Sequence, residues 1–100
     1  FRSEKKKKKK PVPTPVQTLS IVTGESEPFS LGAGEQQVVR SACPAGYSVI
    51  SGGLDTESIT NCAIQESAPW SPTEWFIDLR CDTGGSATDA VAKAICIKLA

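Results

Sequence analysis

A small all-β module stapled by disulfides is the fold class this sequence predicts. Three observations carry that expectation. Short alternating or β-branched runs recur between glycine and proline turns; four cysteines are spread widely with no Cys-x-x-Cys pair; and 100 residues make one domain with a limited core. The expected architecture is a β-sandwich or jelly-roll-like barrel. It follows an extended basic N-terminal tail, residues 1–15, and occupies residues 16–100.

The first strand is predicted over residues 17–23, where Leu19, Ile21 and Thr23 alternate with Ser20 and Val22 before Gly24 interrupts. Gly32 and Gly34 mark a loop. Residues 36–43 are rich in β-branched side chains and end at Pro44-Ala45-Gly46, after which residues 47–51 run into Gly52-Gly53. These two runs are expected to pair as a hairpin. Residues 58–65 form the next candidate, followed by an exposed loop at Ala68-Pro69-Trp70-Ser71-Pro72.

Residues 74–81 give the cleanest pattern: Trp75, Ile77, Leu79 and Cys81 fall on one face and Glu74, Phe76, Asp78 and Arg80 on the other. Asp82-Thr83-Gly84-Gly85-Ser86 is turn chemistry. A last strand is predicted over residues 90–99, with Val91, Ile95, Ile97 and Leu99 on one side and Cys96 among small alanines on the other. Its alanines also permit a helix, but the Ile-Cys-Ile-Lys-Leu ending favours a strand.

The chain contains no histidine, which removes the commonest general base and transition-metal ligand. A Ser, Thr or Cys nucleophile would have to be activated by Lys93, Lys98 or a carboxylate. Asp78 with Glu66 is a conceivable glycosidase pair, but a domain this small forms no deep cleft. No enzymatic activity and no cofactor are expected. Asp55-Thr56-Glu57-Ser58, Asp82 and Asp89 could offer oxygen ligands to calcium, yet EF-hand spacing is missing and solvated acidic turns are the commoner case, so no metal ligand is assigned.

Cys43, Cys62, Cys81 and Cys96 are read as two disulfides, which places the chain in an oxidising, extracellular or cell-surface setting. No apolar run approaches the ~20 residues of a membrane helix. The start at Phe1 without a signal-peptide pattern is read as a processed or excised product.

Charge divides the chain. Residues 1–15 hold seven basic residues against one acid, giving +6; residues 16–100 hold Arg40, Arg80, Lys93 and Lys98 against ten acids, giving −6. Lys5, Lys6, Lys7, Lys8, Lys9 and Lys10 precede Pro11, Pro13 and Pro15, whose fixed φ favours an extended spacer. The run is either simply solvated like charge or an electrostatic anchor for anionic lipid, an acidic polymer or the acidic face of another copy. Specific nucleic-acid readout has no visible apparatus, since the domain is acidic and the tail has no interleaved aromatics. Trp75 belongs to the apolar face of its strand, whereas Trp70, set between Pro69 and Ser71-Pro72, is the candidate contact for a glycan or protein partner.

Ser41-Ala42-Cys43-Pro44-Ala45-Gly46-Tyr47-Ser48-Val49-Ile50-Ser51-Gly52-Gly53, then Asn61-Cys62, then Ala90-Val91-Ala92-Lys93-Ala94-Ile95-Cys96, resembles the resistin-type cysteine-rich module. Similar modules occur in the C-terminal domain of the subtilisin/kexin-related proprotein convertase, and Cys-Pro-Ala-Gly with a following Gly-Gly also looks like secreted bacterial domains. The likeness covers about the last sixty residues. It implies a non-catalytic β-sandwich with Cys43 bridged to Cys96, which leaves Cys62 with Cys81. That nested pairing would tie the opening and closing core strands across a long loop. The chain departs from the family where Gly52-Gly53 replaces Gly-Cys and Cys96-Ile97 replaces Cys-Cys, so Cys81 has no counterpart and family contacts do not transfer. Two functions follow: a self-assembling structural protein whose tail docks on the acidic domain of the next copy, or a secreted receptor- or glycan-binding module tethered to an anionic surface.

Overall fold

The computed structural model describes residues 18–99. The tail, with its six lysines and three prolines, lies outside the described residues, as does Gln17, the expected start of the first strand. The described chain is all-β and antiparallel: β1 (Leu19–Glu25), β2 (Phe29–Leu31), β3 (Gln36–Ala42), β4 (Ser48–Asp55), β5 (Ser58–Ser71) and β6 (Glu74–Leu99).

Every other strand pairs with β6. Along its first part, β5 lies on one side, from Ser71↔Glu74 to Ser58↔Thr88, and β3 and then β2 pair with it as well. Along its last part, β6 runs between β1 and β4. The change of partners falls at Asp89, whose φ of 48° breaks the regular pleat. There the Asp89 N–H donates to Ser30 Oγ at 3.2 Å, and the Thr88 carbonyl accepts from Thr56 Oγ1 at 2.9 Å and from the Glu57 N–H at 3.1 Å.

The two parts of β6 share one core. Leu31, Ile77, Leu79, Cys81 and Ala87 come from the first half of the sheet and Ala92 from the second, with Phe29, Val39, Leu54, Cys62 and Trp75 packed around them. Ala90, Ala92, Ala94 and Cys96 are fully buried, because small side chains let the second half approach closely. Gly52 on β4 marks one point of close approach, since a Cβ there would overlap the Trp75 indole. Trp75 Nε1 donates to Ser67 Oγ at 2.8 Å, which satisfies its polar end.

The predicted faces of residues 74–81 and 90–99 are those observed, and the last segment is a strand. Several expectations need correction. The runs on either side of Pro44-Ala45-Gly46 do not form a hairpin: β3 pairs with residues 74–80 and β4 with residues 91–97. The turn is present, with the Tyr47 N–H donating to the Pro44 carbonyl at 3.1 Å and Gly46 at φ 86°, but it is a corner between the two halves of the sheet. The expected loop around Trp70 is strand until Ser71, and the reversal is the two residues Pro72-Thr73. Its carbonyls accept from Val49 N–H at 2.9 Å and Cys43 N–H at 2.8 Å, tying both corner segments to the turn.

Asp82-Thr83-Gly84-Gly85-Ser86 is also strand rather than turn. Gly85 is buried beneath the carbonyls of Thr60 and Asn61, where a side chain has no room, so glycine here serves close backbone approach. Asn61, at φ 51°, is the extra residue between the Thr60 and Cys62 pairings. Gly24 does not end β1, which continues to Glu25; it passes directly over the Ala42 carbonyl. The short strand β2 was not expected.

Two disulfides close the structure. Cys43 joins Cys96, stitching the corner after β3 to the last part of β6, and Cys62 joins Cys81, its direct cross-strand partner in β5 and β6. Both imply formation in an oxidising environment.

Candidate interaction groove and aromatic patch

The groove begins with Ser26, the residue after β1. Its N–H donates to the Ala92 carbonyl at 2.9 Å and its Oγ accepts from the Ala92 N–H at 2.9 Å, so the segment leading into β2 is held against β6. Phe29 then pairs with Ala90 and turns its ring toward the core. Opposite this segment, no described strand pairs with the outer edge of β3. Between them lies an open groove of about 460 Å³, with Pro28, Phe29, Val38 and Val39 among its walls and Glu27 and Glu74 among its charged groups. That size falls in the ~300–1,000 Å³ range of small-ligand sites. Val38 is 50% exposed.

Arg40, which lines the groove as well, forms a patch with Phe76 and Trp70 across three strands. Arg40 and Phe76 are register partners. Trp70, the extra residue between the Pro69 and Ser71 pairings, meets Phe76 edge-on at 5.3 Å, and the Arg40 guanidinium lies 5.0 Å from its ring centroid. Arg40 Nη1 is also 3.9 Å from Glu74 Oε1. Trp70 stays 52% exposed, but part of its π surface is already taken by Arg40. Trp75, assigned to the core from its pattern, packs there.

Glu66 and Asp78, the weighed carboxylate pair, are cross-strand neighbours on the outer face, and Asp78 Oδ1 accepts from Gln36 Nε2 at 2.9 Å. Asp55 and Glu25 flank Lys93, whose Nζ lies 3.2 Å and 3.6 Å from their carboxylates. The Asp55 hydrogen bond and charge, with help from Glu25, hold the Lys93 ammonium above its usual pKa of 10.5. Among the described residues, no group of three or more Cys, Asp or Glu side chains gathers as a metal site. No described helix is long and apolar enough to cross a membrane.

Of the sequence-derived candidates, the structure joins the four cysteines in two bridges and leaves Trp70 partly exposed beside the groove; the six lysines lie outside the described residues. The groove itself had no sequence signal. Phe29 sits in a three-residue strand, and the exposure of Val38 depends on which edge of β3 is paired. Comparison with family models, with curated proteins and with solved structures returned no match.

Proposed function

We propose that this chain is a non-catalytic extracellular interaction module that self-assembles, its basic tail docking on the acidic domain of a neighbouring copy to build a fibre or surface layer. The observation that carries this reading is the split of charge within one chain: +6 over residues 1–15 against −6 over residues 16–100. A contact between two different surfaces of identical copies is heterologous and propagates unless rotation closes it. The disulfides support an extracellular setting, and the absence of histidine supports a non-enzymatic role.

The test is light scattering of the intact chain and of a variant with the six lysines replaced by Gln, at low and high salt. Large species that shrink as salt rises and are lost in the Gln variant are the expected result, because screening acts at about 10 Å in 0.1 M salt. Small species in both chains at every salt concentration refute it. A second reading, a glycan- or receptor-binding module tethered by its tail to an anionic surface, is favoured by the exposed part of Trp70. It predicts binding that survives high salt and fails in Trp70→Ala.

A further inference from the structure

The geometry points to the groove along β3 as the seat of the tail, with the segment Pro11-Val12-Pro13-Thr14-Pro15-Val16 of a second copy lying in it and that copy's lysines reaching the surrounding acids. This inference rests on the assembly reading above and adds the place and mode of docking. The groove follows the outer edge of a strand, so an extended occupant suits it better than a compact one. Within a lining that is otherwise polar, from Ser26, Glu27, Gln37, Arg40 and Glu74, the side chains of Pro28, Phe29, Val38 and Val39 offer contacts that suit proline and valine. A proline-rich segment loses little entropy on docking, because its φ angles are already fixed.

Charge points to the same occupant. Glu27 and Glu74 line the groove, and the domain around it has ten acids to four basic residues. Arg40 opposes a basic ligand, but its guanidinium is drawn toward Glu74 and Trp70. A second copy supplies the segment more readily than the same chain does. The tail enters at the start of β1, and the groove begins beyond the end of β1, about 20 Å away at ~3.3 Å per residue. Docking within one chain would require the proline segment to reverse at once and run back beside β1.

The experiment measures, by light scattering of the full chain at low salt, the concentration at which assembly sets in. Val38→Ser and Glu27→Gln change exposed side chains, and a thermal melt followed by circular dichroism checks that each variant folds like the parent. Each should raise the assembly concentration about tenfold, as should the combined replacement of Pro11, Pro13 and Pro15 by Ala, which keeps every charge. A synthetic Lys-Lys-Lys-Lys-Lys-Lys-Pro-Val-Pro-Thr-Pro-Val peptide should dissolve the assembly at lower concentration than hexalysine. If replacing the lysines by Gln abolishes assembly but the groove and proline variants assemble as the parent does, the tail docks elsewhere on the acidic surface; the groove assignment falls while the assembly reading stands. If the parent chain is monomeric at every concentration, both fall.

Discussion

Replacing Gly52 by alanine puts a methyl group where the Trp75 indole now lies. The indole cannot retreat freely, since it packs against the shared core and donates to Ser67 Oγ. Overpacking of this kind costs about 1–3 kcal/mol, and losing the tryptophan hydrogen bond adds about 1 kcal/mol. Against this, alanine restricts the unfolded chain and returns about 0.4–1 kcal/mol. The net expectation is a loss of about 1–3.6 kcal/mol. Urea unfolding with both disulfides intact, followed by tryptophan fluorescence, measures it. The decisive comparison is Gly52→Ala in a Trp75→Leu background, where the smaller side chain leaves room and the added cost should fall below about 1 kcal/mol. Equal cost in both backgrounds would refute the claim that contact with Trp75 keeps this position a glycine.

Converting each disulfide pair to serine should destabilise in the order of loop length, by about 4 kcal/mol for Cys43–Cys96 and about 3 kcal/mol for Cys62–Cys81, read from denaturation midpoints. Ala94→Val, on the buried face of β6, should lower stability by about 1–3 kcal/mol, whereas Ile21→Thr, 62% exposed on the opposite face, should stay within about 0.5 kcal/mol. Because Lys93 is held above its usual pKa, its contribution is fully present below pH 10.5 and is lost as pH rises through the folded-state value. A Lys93→Gln variant should lack this part of the alkaline decline in a pH series of thermal melts; an unchanged decline would place its origin elsewhere.

Face periodicity was legible wherever one strand carried a strict alternation, as in Trp75, Ile77, Leu79 and Cys81. Partner choice was not. The runs flanking Pro44-Ala45-Gly46 read as a hairpin because local sequence reports a turn equally whether the strands beyond it pair or diverge. Asp82-Thr83-Gly84-Gly85-Ser86 misled for a related reason: glycine marks either a reversal or a place where another backbone passes, and only the position of Asn61 and Thr60 over Gly85 decides. The two faces of residues 90–99 were legible, but which of them is buried, that of Ala92 and Ala94, follows from how closely the two halves approach, a tertiary distance that no local pattern encodes. The same limit hid the groove, whose walls come from the segment after β1 and from one edge of β3.

The dependence of every described strand on β6 sets an order of events during synthesis. Before residue 74, β1 through β5 have no strand to pair with; β3 and β5 then find theirs in residues 74–88, and β1 and β4 only in residues 91–99. Once β6 exists, the two-residue reversal makes β5 its most local partner, and the Cys62–Cys81 bridge can close within that hairpin before the longer Cys43–Cys96 loop is drawn in. The first half of the sheet can thus form while the partner of β1 and β4 is still being made, and the Cys43–Cys96 bridge waits for that last stretch of β6.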